Sequence, residues 1–366
     1  MTTRIQFDLA SLLGTARSVS LTFLAALTVS LFLITTPAWA AKLYVQNWGV
    51  DSGGCGAVAT PCRSIGKAVS LAVSGDTVLV GPGLYSNDLN NNGTFDEPGE
   101  EPSAGISIGA TGVTLQSTHG AAATRIEYTG PWGTGIPTFR IVSGGGGAVV
   151  FGKKNHGFTL YVAPTTATPF SATVIAAGNV SGNVVLVYDT NGDHTLAILA
   201  DRVIRDNRVG GLTTTSLATG IDSVNATIVE RNVVSGASTG FIGSDGAFRH
   251  NVAIEDAVGF VVNGTITEFT NNIAVANLSY GIEFSGLGTT VAKFKNNTID
   301  NNDPVTNCGL LNQTGSALVA TKNFWGAATG PGANPADGVC NSGAGSSTTS
   351  TPFLTHPVAG GPGAVQ

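Results

Sequence analysis

Charge is scarce in this chain. Asp, Glu, Lys and Arg make up only 11% of its 366 residues and leave a formal net charge of −6. That excludes a nucleic-acid surface, because such binding rests on clustered basic side chains. Five histidines and four cysteines are too few and too scattered for a zinc ribbon, and no H-E-x-x-H motif occurs. The spacing G-x-S-x-G occurs at Gly105–Gly109 and Gly236–Gly240, but in strand-and-turn stretches with no following helical pattern, so neither offers the strand-to-helix context of a serine nucleophile. Aromatic residues are 7% of the chain and leucine is sparse, so a leucine-rich repeat is excluded. No apolar run reaches the ~20 residues that a spanning helix needs. What is abundant is glycine, 50 residues, with valine, isoleucine, threonine and asparagine in short runs, the composition of strands and turns.

Those runs repeat between Asp201 and Gly326. An apolar residue stands three places before an asparagine, and the asparagine is usually followed two places on by another. The copies are Ile204-Arg-Asp-Asn207-Arg-Val209, Val229-Glu-Arg-Asn232-Val-Val234, Phe248-Arg-His-Asn251-Val-Ala253, Phe269-Thr-Asn-Asn272-Ile-Ala274, Phe294-Lys-Asn-Asn297-Thr-Ile299 and Ala320-Thr-Lys-Asn323-Phe-Trp325. By subtraction the asparagines are 25, 19, 21, 25 and 26 residues apart. A second anchor, glycine before an apolar residue, recurs at Gly220, Gly240, Gly259, Gly281 and Gly309. A period of 20 to 25 residues is the mark of a solenoid. Three short strands and three turns fit one such step, and coils stacked ~4.8 Å apart would set the asparagines above one another. Each amide could then satisfy its neighbour at a buried bend. Asn232, Asn251, Asn272 and Asn297 are expected to stack there, with Val229, Phe248, Phe269 and Phe294 inside.

At these residues the chain resembles the right-handed parallel β-helix proteins of the pectin-lyase-like superfamily. The resemblance runs from about Asp51 to Phe353 and implies an all-β fold, a single right-handed parallel β-helix. It implies no one activity, since that fold carries lyases, glycosidases, adhesins and non-enzymes.

The first 40 residues read as a secretory signal peptide: Arg4 and Arg17, an apolar run from Leu21 to Ile34, and Ala38 and Ala40 before the cleavage point. The protein is therefore expected to be exported, extracellular or on the cell surface, with no transmembrane segment after cleavage. Residues 41–342 form one β-helix domain, and 343–366 a loose Ser/Thr/Gly/Pro-rich tail. Removing Arg4, Arg17 and Asp8 leaves 15 basic and 22 acidic residues, a mature charge of −7. Export permits disulfides. Pairing Cys55 with Cys62 and Cys308 with Cys340 is the simplest of three connectivities, because the two pairs lie at opposite ends of the repeat. Ile65, Ala68, Val69, Ala72 and Val73 have helical spacing. This N-terminal helix would cap the open apolar end of the first coil. The stretch Gly75-Asp-Thr-Val-Leu-Val-Gly-Pro-Gly-Leu-Tyr85 that follows, and Asn323-Phe-Trp-Gly at the far end, are similar to the entry and exit of exported β-helix proteins. Asp76 and Tyr85 read as a turn residue and a packing ring, and Trp325 as a cover for the last coil.

Two stretches bear on chemistry. Asp88, Asn90, Asn92, Thr94 and Asp96, with Gly93 at the sixth place, match a D-x-[DN]-x-[DN]-G calcium loop. Gly99 stands where the bidentate Glu belongs, so Glu100 or Glu101 would have to complete a Ca²⁺ shell. Asp189-Thr-Asn191-Gly-Asp193 starts the same pattern and lacks the rest, so it reads as a loop. The second stretch is the outward column beside the asparagines: Arg205, Asp206, Glu230, Arg231, Arg249, His250 and Lys295. Arg205, Glu230, Arg231, Arg249 and His250 are the candidates for a catalytic role, in lyase or glycosidase chemistry. Alternating sign along the column favours a charge-paired face instead, with no second carboxylate column to complete a glycosidase pair. The expected function is binding of extracellular or cell-surface polysaccharide by a monomer. A lyase or glycoside hydrolase, and a structural or adhesive surface protein, are the alternatives.

Overall fold

The protein is described from a computed structural model, over residues 40–130, 138–144, 149–164, 171–188, 195–211 and 217–358. The chain divides into two compact units, Met1–Ala41 and Lys42–Gln366. The second is a parallel β-helix. The apolar leader and the Asp189–Asp193 fragment lie outside the described residues.

Every paired strand of the three main stacks is parallel to its neighbour. The first stack begins Lys42–Val45, Thr77–Val80, Thr114–Ser117 and Val150–Phe151. The second includes Thr219–Ser223, Tyr280–Phe284 and Cys308–Asn312. These two stacks join into one seventeen-stranded sheet through long strands that serve both, such as Ser171–Ser181, Thr195–Arg205, Thr239–Arg249 and Val258–Thr270. Register slips mark where these strands pass from one stack to the other, between Ala177 and Asn179 and between Gly243 and Asp245. The third stack is a separate nine-stranded sheet from Gly83–Ser86 to Thr298–Asp300.

Register between strands stacks the inward residues into columns from coil to coil. In the first stack the column runs Val78, Leu115, Phe151, Val180, Ile204, Val229, Phe248, Phe269, Phe294. In the third it runs Tyr85, Ile126, Leu160, Val185, Val209, Val234, Ala253, Ala274, Ile299. All are buried. Volume is shared between walls: where the first stack carries Phe248 and Phe269, the third carries Ala253 and Ala274, which keeps the interior at native density. Phe269 is the centre of this core, with Phe260, Phe294, Phe248 and Phe284 at ring distances of 5.2, 5.5, 5.9 and 5.9 Å.

The asparagine ladder forms as the spacing predicts, and it has one rung more. Asn183, Asn207, Asn232, Asn251, Asn272, Asn297 and Asn323 stack at the bend between first and third sheets, all at most 1% exposed. From Asn207 on, each Oδ1 accepts both the backbone N–H and the Nδ2 of the rung before it, as Asn251 does from Asn232 at 3.1 and 3.0 Å. Each Nδ2 from Asn207 to Asn297 also donates to a main-chain carbonyl one coil back, Asn251 to Val229 at 2.9 Å. The residue before each rung sits in the left-handed region, among them Asp206, Arg231, His250, Asn271 and Asn296 at φ near +55°. Val180-Ser-Gly-Asn183-Val-Val185 has the repeat's spacing, and glycine in the left-handed place hid it among irregular coils.

A second ladder stands at the bend from the third sheet into the second. Ala237 N–H donates to Asp256 Oδ1, Asp256 N–H to Asn277 Oδ1, Asn277 to Asn302, and Asn302 to Asp337. Mixed residue types concealed it in the sequence. It also explains the glycine anchor. A Cβ on Gly240 would lie 2.4 Å from Asp256 Oδ2, and one on Gly281 2.7 Å from Asn302 Nδ2. These glycines let the ladder side chains pass over the backbone.

The capping helix, α1, is Ile65–Leu71, ending before Ala72 and Val73. Ser64 Oγ caps it by accepting from Lys67 N–H at 3.1 Å, and Ile65, Ala68 and Val69 are buried against the first coils. Asp76 and Tyr85 are a turn residue and a buried ring as expected. The disulfides are Cys55–Cys62 and Cys308–Cys340. The tail departs from expectation. Ser347–Thr349 pairs with Ala317–Val319, Leu354 N–H bonds to Asn323 O, and Val358 N–H to Thr298 Oγ1. Gly343 to Val358 is therefore an ordered extension over the last coil, above fully buried Trp325. Its hydroxyl-rich composition suggested looseness, but its backbone groups find partners on an otherwise open edge.

Candidate functional site: a charged face and a cleft between coils

The column beside the asparagines carries two clusters of ion pairs. Arg205 Nε lies 3.2 Å from Glu230, whose other oxygen takes Arg231 Nη1 at 2.6 Å. Arg231 is also bidentate to Asp206, at 2.7 and 3.2 Å. Register brings Arg249 next to Glu230 on the following coil. Its guanidinium instead bonds Glu268 at 2.7 Å, and Lys293 reaches that same carboxylate at 2.5 Å. Lys293, then Thr270 and Arg249, hold the Glu268 carboxyl down at about 2. Asp206 and Glu230 in turn push the Arg231 guanidinium up.

Held down in this way, the Glu268 carboxyl is not prepared to donate a proton to a leaving group. His250 is half-buried, at φ +55°, in the left-handed place before Asn251. The carboxyls pushed up by burial lie elsewhere: Asp256 and Asp337 in the second ladder, Asp222 and Glu283 on the second sheet, Asp300 at the end of the third sheet, and Glu101 beneath the capping helix. Asp222 and Glu283 share one outward column with two residues between them, three coil steps or ~14 Å, beyond the ~5–9.5 Å of a glycosidase pair.

The charged column leads to a cleft that the sequence did not disclose. Strand Thr290–Val291 and its continuation Phe294–Lys295 pair with the coil before them and not with the coil after. Ala317–Val319, the corresponding strand of the next coil, pairs only with Ser347–Thr349. The ladder closes again at both ends, by Gly288 N–H to Thr314 O and Asn296 N–H to Lys322 O. Between them is a cavity of about 370 Å³, lined by Thr289, Thr290, Lys295, Thr314, Ser316 and Thr321 among others. Two strand edges face across it, and Ala317 and Thr290 are exposed on its walls. The only sequence trace is spacing: the glycine anchors are 20, 19 and 22 residues apart, then 28, from Gly281 to Gly309.

The acidic loop is folded on its own hydrogen bonds. Asp88 accepts from Asn92 N–H (3.0 Å) and Gly93 N–H (3.0 Å), Asn90 from Asn92 N–H (3.1 Å), and Asn92 from Thr94 N–H (2.7 Å). These three side chains thus converge on one turn. Asp96 turns away to Ser103, at 2.7 and 2.6 Å. The expected substitutes for the missing twelfth ligand are both engaged. Glu100 takes the N–H groups of Leu89 and Glu97, and buried Glu101 those of Ile65 and Gly66 at 2.6 and 2.8 Å. The donor set fits a cation in part: three ligands are in place and Asp96 is not. Among the described residues, one group of three metal-capable side chains lies close together, Asp51, Cys55 and Cys62, and its sulfurs are joined to each other.

Among the described residues no helix is long and apolar enough to cross a membrane. No family model, curated protein or solved structure matches this chain.

Proposed function

We propose that this chain is an exported glycan-binding β-helix, akin to the right-handed pectin-lyase-like proteins, that holds polysaccharide without cleaving it. The cleft between the coils carries the reading. Its unpaired strand edges offer N–H and C=O groups, and Thr289, Thr290, Ser316 and Thr321 add hydroxyls. Sugar hydroxyls, which donate and accept, match such a surface better than an apolar ligand does. A volume of about 370 Å³ is at the small end of the ~300–1,000 Å³ of small-molecule sites, room for a short stretch of a chain. The neighbouring ion pairs make a polar rim, and Glu268, held well below the usual carboxylate range, is unsuited to act as a general acid.

A glycan array probed with the wild-type protein and with Ala317→Trp, which fills the cleft, tests this. Expected is binding to one glycan class, lost in the variant, with no new reducing ends or unsaturated products on incubation. Binding that the variant retains would refute the cleft, and product formation would return the Arg205–His250 face to the lyase or hydrolase reading.

The acidic loop is proposed as a second, weak site. Asp88, Asn90, Asn92 and the Thr94 carbonyl would hold Ca²⁺, with Asp96 joining after release from Ser103. The ion would supply charge to order the loop.

A further inference from the structure

The second ladder contains an acid where its pattern calls for an amide. Asn277 and Asn302 each use Oδ1 to accept from the rung before and Nδ2 to donate to a carbonyl one coil back, Ala253 O at 3.4 Å and Ala274 O at 3.0 Å. Asp256 keeps the first half of the pattern: its Oδ1 accepts from Ala237 N–H at 2.8 Å. Its Oδ2 stands where those Nδ2 atoms stand, over Gly240, and has no hydrogen-bond partner. Val234 pairs with Ala253 and Ala253 with Ala274, so the Val234 carbonyl occupies the corresponding acceptor position. Asp256 is 0% exposed, so its carboxyl is out of contact with bulk water.

We infer that Asp256 is a protonation-dependent latch: as the neutral acid its O–H completes the rung to the Val234 carbonyl, and as the anion it opens the rung. An ionised Oδ2 would set two acceptors against each other in a buried bend, which costs free energy that a hydroxyl donor removes. The groups facing the carboxyl from the packed elements are the Ala237 N–H, the Gly240 and Gly259 backbones and the Asn277 amide, none of which titrates. Glu255, next in the chain, is the one charged group that acts on it, and its like charge opposes ionisation further. Burial pushes the carboxyl up in the same direction.

The sign follows. Stability contributed by this acid is complete below the unfolded pKa of ~3.9 and is lost as pH rises toward the folded value. Asp256→Asn supplies a permanent donor. Relative to that variant, the wild-type unfolding constant should rise about tenfold per pH unit over that window. Other titrating groups cancel in the comparison. The difference infrared spectrum, wild type minus Asp256→Asn, should show a protonated carboxylic-acid band at neutral pH. In hydrogen exchange, the Ala237 amide should lose protection with rising pH in the wild type alone. A carboxylate band instead, or parallel stability profiles for the two proteins, would overturn the latch. If Asp256→Asn fails to fold, a neutral-acid band present in the wild type and lost in Asp256→Ser supports the latch, and its absence from the wild type overturns it.

Discussion

Asn251 tests the asparagine ladder most directly, because every bond it makes is buried and accounted for. Its Oδ1 is the acceptor for both Asn232 N–H and Asn232 Nδ2, and its own Nδ2 donates to Val229 O. Asn251→Ala leaves the backbone N–H of Asn232 without a partner and removes one of the two bonds of the Asn232 amide, which keeps Ile204 O at 2.9 Å. A buried donor left unmet costs ~1–3 kcal/mol, so two affected donors set an expected loss of ~2–5 kcal/mol. Asn251→Asp separates the parts. It retains the acceptor and can restore the donor only when protonated. Its cost should be small near pH 4 and grow by ~1.4 kcal/mol per pH unit until the folded carboxyl ionises. Half-exposed Asn271, one residue before the next rung at φ +56°, is the control. Asn271→Gly keeps the left-handed backbone and should change stability by no more than ~1 kcal/mol. Urea titration of the four proteins with one shared m-value gives the comparison. An Asn251→Ala loss below ~1 kcal/mol, or an Asp variant indifferent to pH, would refute the account of the ladder as a stabilising buried network.

Phe269→Ala empties the centre of a five-ring cluster and should cost ~3–5 kcal/mol by denaturation; an unchanged midpoint contradicts its burial. Mass mapping should find no free thiol and the two links 55–62 and 308–340. By loop length, opening the second by paired Cys→Ser should cost more, ~3.7 against ~2.5 kcal/mol. Millimolar calcium should stabilise the fold by about 0.4–1.4 kcal/mol at a Kd of ~10⁻⁴–10⁻³ M. Asp88→Ala should remove that gain, and no titration heat with no shift in melting would exclude the site. His250→Gly should leave stability within ~1 kcal/mol and glycan binding unchanged, since it trades a left-handed side chain for the residue suited to it; lost binding would give His250 a ligand role.

The repeat decided most of the fold by itself. A chain that places Asn every 19 to 26 residues, with apolar residues at −3 and +2, can bury those amides only by stacking coils, so the first ladder and its inner column were legible. The local pairing of the cysteines and the capping helix were legible for the same reason: each rests on residues close in sequence. The charged column was half legible. Alternating sign announced pairing, but only the fold showed that Arg249 turns to Glu268 and Lys293, because Glu268 lies four places before its asparagine and outside the column that spacing marked. The second ladder escaped because its rungs are Ala237, Asp256, Asn277, Asn302 and Asp337, and a backbone N–H donates to any side-chain oxygen within reach. The cleft escaped for a different reason. Whether two successive strands close their ladder depends on where the longer coil after Gly281 puts its extra residues, and no residue type records that. The tail turned on the same point, since Ser347–Thr349 is a strand only because the edge of Ala317–Val319 is there to receive it. Sequence sets what a residue can bond to; in a solenoid, the coil above and the coil below decide which of those bonds is made.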